Sequence, residues 1–203
     1  MPNTQPVTAD SDIVSALGTR SIVLIGMMGV GKSTIGRRLA TRLRLPFVDA
    51  DSEIEAAADM TIAEIFERDG EPYFREREAR VISRLLGREA IVLATGGGAF
   101  LRQDTREHVA ASALSIWLKA EVDVIMRRVR RRADRPLLRN PDPEGTVIRL
   151  LAEREPFYAL ADMTVVSCDV PHDEIVEMCV SALRQHLSDT FEAGRKAAPA
   201  DPT

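Results

Sequence analysis

The sequence predicts an α/β protein, a parallel sheet with helices on both faces, and three observations lead there. Short apolar runs alternate with helix-period segments through most of the chain. The first run, Ile22-Val23-Leu24-Ile25, is apolar without interruption, as a strand covered on both faces must be. That run opens into Gly26-Met27-Met28-Gly29-Val30-Gly31-Lys32-Ser33-Thr34, a glycine-rich turn feeding a helix.

The elements follow in order. Strands are expected at Ser21–Ile25, 46–48, 91–94, 114–118 and Met163–Val166. After the first strand, Ile35, Leu39 and Leu43 recur at four-residue steps and mark one apolar helix face. Residues 51–58 and 61–66 read as short helices, the second opened by the capping-box pair Thr61 and Glu64. A longer, highly charged helix spans 72–86 and stops at Gly87. Helices at 121–131, 145–154 and 171–187 complete the set, the last with Ile175, Met178, Val180 and Leu183 on one approximate face. Residues 1–18 are expected as a loose leader and 189–203 as a disordered tail, which leaves one domain at 19–188. Residues 132–145 lack periodicity and mix arginines with Pro136, Asn140, Pro141 and Pro143. They read as a lid, with a long surface loop as the alternative.

Composition narrows the function. The chain has 203 residues, 45% of them apolar, enough for the core of one domain. A net charge of −4 gives no general attraction for nucleic acid. Arg130-Arg131-Arg132 lacks the interleaved aromatics of a base-stacking surface and reads as a solvated helix end. No apolar stretch reaches membrane-spanning length, and the first residues carry no signal-peptide pattern. Cys168 and Cys179 read as buried free thiols in a reducing compartment, so the expected location is the cytoplasm.

The chemistry starts at the glycine turn. Gly26, Gly31, Lys32 and Ser33 match G-x-x-x-x-G-K-[ST], the phosphate-binding P-loop. Its backbone N–H groups turn inward around an anion, and the following helix adds its free N-terminal donors. Lys32 brings a mobile positive charge and Ser33 a hydroxyl for Mg²⁺. A nucleoside triphosphate is therefore the expected ligand. Because ligands gather at the carboxyl ends of parallel strands, Asp49, Asp51 and Gly96-Gly97-Gly98 should lie at the same edge. Asp49 and Asp51 either divide metal and acceptor duties, or Asp51 or Ser52 merely caps the next helix. The three glycines either let a substrate approach the backbone or make a tight turn. Spacing does not separate Arg75 from Arg77, Arg80 and Arg84, most of which should lie on a solvated face. Arg135 stands in the expected lid, where an arginine can meet transferring charge only on closure. Arg154 ends a helix from which it could clamp a carboxylate. His108, His172 and His186 have no catalytic or metal spacing and read as surface or capping residues.

Together these pieces resemble the shikimate kinase family. The resemblance runs from Ser21 to Leu187 and rests on the P-loop with Lys32-Ser33-Thr34, Asp49-x-Asp51, Phe74-Arg75, Gly96-Gly97-Gly98, Arg135-Pro136-Leu137-Leu138 and Arg154-x-Pro156-x-Tyr158. Each piece after the P-loop is weak alone; their order and spacing are specific. The resemblance implies a fold like that of nucleoside monophosphate kinases, with a five-stranded parallel sheet and a lid. It implies ATP-dependent phosphorylation of the 3-hydroxyl of shikimate on the route to chorismate, by a monomer that engages neither nucleic acid nor membrane. Carried onto this chain, it implies that Gly29, Val30, Gly31, Lys32, Ser33, Thr34 and Arg135 hold the nucleotide, and that Ser33 and Asp49 serve Mg²⁺. Asp51, Arg75, Gly97 and Arg154 bind the acceptor. Asp51, Lys32 and Arg135 carry catalysis, with Asp51 as candidate base. One departure concerns the adenine: relatives carry an arginine after the last strand, where this chain reads Ser167-Cys168-Asp169-Val170-Pro171. Two rivals stand beside this reading, a gluconate kinase or another small-metabolite P-loop kinase, and a nucleotide-binding module without catalysis.

Overall fold

A computed structural model describes residues 9–130 and 141–197. The sheet has five parallel strands, β1 (Ser21–Ile25), β2 (Phe47–Asp49), β3 (Val92–Ala94), β4 (Ala113–Lys119) and β5 (Met163–Val166), in the order β2-β3-β1-β4-β5. In the β1 register Ile22 stands between Val92 and Leu114, and Leu24 between Ala94 and Ile116. The central strand is wholly buried. Ile22 and Leu24 point into one core with Leu114, Ile116 and Leu118, whereas Val23 and Ile25 point into a second core with Leu93 and Trp117. Two covered faces account for the unbroken apolar run.

The helix after β1 is α2 (Lys32–Leu43), and its buried face is Ile35, Gly36, Leu39, Ala40 and Leu43. It packs close to the sheet at one point. A Cβ on Gly36 would lie 2.7 Å from the Phe47 ring and 3.1 Å from Leu24. On the outer side, the Arg37 guanidinium rests 4.9 Å from the centre of the same ring. After β2 come α3 (Ala50–Ala58) and α4 (Ile62–Leu86). Thr61 and Glu64 form the expected capping box. Within α4, Gly70 departs from helical geometry at φ 82° and ψ 168°, just before Pro72. The two helices expected from the sequence are therefore real pieces of one kinked element.

Several expectations need correction. The supposed leader contains a packed helix, α1 (Ala9–Leu17). Ile13 and Leu17 are each only 2% exposed, and burying two such side chains contributes about 1.5–3 kcal/mol apiece. Asp10 is tied to Arg42 of α2 at 2.5 Å, so the helix is also strapped by charge. At the other end, α8 (His172–Ala197) continues past Leu187 instead of fraying at 189. Leu187 is itself buried, and hydrogen bonds from Gln185 to Asp189 and from Thr190 to the His186 carbonyl, each 2.8 Å, support the following turn. A short 3₁₀ turn (Ala99–Leu101) and α5 (Gln103–Ser112), both unforeseen, lead from β3 to β4. Beyond β4 lie α6 (Val122–Arg130) and α7 (Pro143–Tyr158). The end of the supposed lid is thus already helical: Pro143 sits in the first turn, and the Asp142 side chain accepts from the Gly145 N–H at 2.9 Å. Most of the 132–145 segment, Arg135 included, lies outside the described residues. Cys179 is buried as expected, with burial pushing its thiol up to about 12, but Cys168 is exposed because it stands in the loop after β5.

Candidate active site

The carboxyl ends of β1, β2 and β3 meet in a cleft of about 420 Å³, floored by the P-loop and the glycines after β3. The P-loop half is built from backbone. Gly29 and Gly31 have φ of 82° and 102°, which side-chain-bearing residues rarely adopt. Gly29 is also crowded, since a Cβ there would lie 2.7 Å from Val129. Gly31 begins α2 with no side-chain cap, and the first turn holds no acidic residue. The helix end therefore offers its N–H donors and positive dipole to an anion. Lys32 lies folded over the loop, its Nζ donating to the carbonyls of Gly26 at 2.8 Å and Met27 at 3.0 Å. Ser33, Thr34, Asp49 and Asp51 line the same cleft.

Two residues that sequence reasoning passed over hold this loop from behind. The Val30 carbonyl accepts from Ser167 Oγ at 2.8 Å and from Arg128 Nη1 at 3.0 Å. Arg128 also donates to Ser167 Oγ at 2.8 Å and to the Cys168 carbonyl at 2.7 Å. The P-loop is thereby joined to α6 and to the loop after β5. Arg128 sits among other arginines, so no spacing singled it out. His172, read as a surface or capping residue, lines the outer cleft with Asp169 and Val170. His108 is exposed and His186 half-buried.

On the opposite side Asp51, Gly96 and Gly97 line the cleft, and further charged side chains gather around residues 96–98. The helix-capping role considered for Asp51 falls to Asp49, whose Oδ1 accepts from the Asp51 N–H at 3.1 Å. Asp51 is left in the first turn of α3, its Oδ1 3.0 Å from where a Cβ on Gly96 would lie. Arg75 donates to Glu78 at 2.8 Å and to Glu71 at 2.9 Å, and its guanidinium covers Gly98 so closely that a Cβ there would clash at 2.5 Å. Arg154 is 7% exposed, lies 3.8 Å from the Met27 sulfur and comes within 3.2 Å of a Cβ position on Gly97. By contrast Arg80 and Arg84 pair with Glu76 and Glu53 at the surface, as the solvated-face reading expected. The glycines are needed for close approach: Glu78 Oε1 would stand 2.3 Å from a Cβ on Gly96.

Glu78 is the acidic residue that sequence reasoning missed. It is 1% exposed, and its Oε1 has no hydrogen-bond partner among the described residues. Burial pushes its carboxyl up; Arg75 pulls it down, and the charge of Asp51 pushes it up again. Glu76 and Glu78 look alike in sequence; only the fold sends one inward. Among the described residues no cluster of three or more His, Cys, Asp or Glu could hold a metal. A hydroxyl at Ser33 with a carboxylate at Asp49 is instead the sparse oxygen set by which proteins hold Mg²⁺ alongside nucleotide phosphates and water.

A parallel sheet, a P-loop on its central strand and a charged cluster facing that loop define a P-loop phosphotransferase of the nucleoside-monophosphate-kinase-like fold. The family model described as shikimate kinase matches residues 28–184. A shikimate kinase from Bradyrhizobium diazoefficiens is 69% identical over 194 residues, covering 95% of this chain and 91% of that protein. One from Rhodopseudomonas palustris is 65% identical over 178 residues, 88% of each chain. Among solved structures, shikimate kinase from Acinetobacter baumannii in complex with shikimate has a TM-score of 0.80 at 35% identity, covering 85% of this chain and 97% of that one. A gluconokinase from Sinorhizobium meliloti shares the fold, with a TM-score of 0.60 at 20% identity over 86% of this chain and 97% of its own. The chain belongs to the shikimate kinase family.

Proposed function

We propose that this chain transfers the γ-phosphoryl group of ATP to the 3-hydroxyl of shikimate, giving shikimate 3-phosphate and ADP on the route to chorismate and aromatic amino acids. The observation that carries the reading is the convergence of Arg75 and Arg154 on the turn at Gly97 and Gly98, with Asp51 across Gly96 and the P-loop opposite. Two guanidiniums suit a carboxylate, and an Asp suits alcohols. Shikimate carries both.

In this reading the P-loop amides of residues 29–34 cradle the phosphates, and Lys32 leaves its own loop carbonyls to meet them. Ser33 and Asp49 would hold Mg²⁺, which when bound neutralises phosphate charge. Asp51 accepts or orients the proton of the attacking hydroxyl. Arg75 and Arg154 fix the carboxylate, with the backbone of Gly97 against the ring, so that this hydroxyl faces the donor. Arg135 serves the transferring charge as the 132–145 segment closes over the site and excludes water. The enzyme works as a cytoplasmic monomer; no helix among the described residues is long and apolar enough to cross a membrane.

The test is ADP release with Mg²⁺ and ATP against shikimate, quinate, gluconate and nucleoside monophosphates. Turnover is expected with shikimate and background rates with gluconate. The reverse would favour the gluconate kinase, and background rates with every acceptor would favour the module without catalysis.

A further inference from the structure

Tyr158 ends α7 and is 1% exposed, its ring packed at 5.9 Å from that of Trp117 on β4. Its O–H donates to the Gly97 carbonyl, tying the end of α7 to the turn after β3. The Arg154 guanidinium, one turn earlier on the same helix, lies against that turn, its Nη1 3.2 Å from where a Cβ on Gly97 would stand. Since a trans peptide sets C=O and N–H in opposite directions, holding the Gly97 carbonyl also sets the aim of the Gly98 N–H.

We propose that Tyr158 is a positioning residue for the acceptor, its hydroxyl locking the glycine turn into register with α7 so that Gly97 and Arg154 reach the same substrate. The inference rests on the reading that Arg154 and Gly97 bind shikimate. Tyr158 has no contact with the acceptor in this scheme and acts through those two groups. A phenyl ring would fill the same space against Trp117 but would leave the Gly97 carbonyl without its buried donor and the turn free to shift against Arg154.

The experiment is Tyr158→Phe, with shikimate turnover by the wild-type enzyme measured first. A rise in the KM for shikimate of about tenfold is expected, the scale of one buried carbonyl left without its donor, with the KM for ATP changing less than about twofold. An unmoved shikimate KM, or equal rises in both KM values, would overturn the role of Tyr158. Absence of wild-type turnover would instead remove the functional reading itself. A second measurement does not depend on the variant folding. The chain has two tyrosines, so 3-fluorotyrosine in a Tyr73→Phe background labels Tyr158 alone. Its fluorine resonance is expected to shift on adding shikimate and to stay in place on adding ADP. No shift with shikimate would count against the proposal.

Discussion

The two halves of the cleft are made of different material. The donor half is a single stretch, Gly26 to Thr34, whose working groups are backbone amides set by glycines at positive φ. The half proposed for the acceptor draws on α3, α4, the turn after β3 and α7, and its groups are side chains that hold one another, as Glu78 and Glu71 hold Arg75. A backbone site is rigid because the chain itself is folded there. A side-chain site is rigid only while its charges stay balanced. The first tolerates little change in shape, the second little change in charge.

Three changes would break or sharpen that contrast, from largest to smallest. Asp51→Asn keeps the shape of the acceptor side and removes its charge. It should lower kcat by about 10²–10⁴, the range for loss of a positioned general base. The ATP dissociation constant, read by calorimetry, should stay within about threefold of wild type. Near-normal turnover would take Asp51 out of the mechanism. Gly29→Ala makes the reverse change, altering shape without charge. With φ at 82° and Val129 at 2.7 Å from the new methyl, it should cost about 1–3 kcal/mol, read as weaker ATP binding and a lowered Tm, while the KM for shikimate holds. Unaltered ATP affinity would show that the backbone half is softer than its crowding at Gly29 implies.

Glu78→Gln is the subtlest. The folded protein holds the Glu78 proton more tightly than the unfolded chain, because burial raises its carboxyl. That contribution to stability is fully present below the ordinary carboxylate range and is lost as pH rises through the raised value. The Tm of the glutamine variant relative to wild type should therefore improve from pH 4 to pH 8, even as its grip on Arg75 and on shikimate weakens. A Tm difference that is flat with pH would show that Glu78 titrates as an ordinary surface acid does.

The same contrast explains what was legible in the sequence. The donor site is contiguous, so its glycines, Lys32 and Ser33 stand out as a motif with a mechanism. The strands are legible because burial on two faces leaves no room for polar residues, as Ile22–Ile25 shows. On the acceptor side only order and family resemblance raise Arg75 and Arg154 above their neighbours. Glu78 could not be told from Glu76, since facing inward is a property of how α4 meets residues 96–98 and of nothing local. The helix α1 escaped notice because its signal is just Ile13, Val14 and Leu17 among polar residues, and its partner α8 lies at the other end of the chain. Tyr158 enters the sequence reading only as a letter of the family motif, and Ser167 only as part of a loop; their partners arrive from 61 and 137 positions away.

The contact between Gly36 and Phe47 joins these halves in a further way. Phe47 opens β2, the strand whose far end delivers Asp49 and Asp51, while Gly36 lies one turn beyond Ser33 on α2. With 2.7 Å between the ring and the place of a Cβ, nothing can be added at that point without pushing helix and strand apart. In the reading proposed above, the gap that a phosphoryl group must cross is thus gauged by a missing methyl at Gly36 on the P-loop helix. Redesign for a bulkier acceptor has a dial there as well as in the pocket.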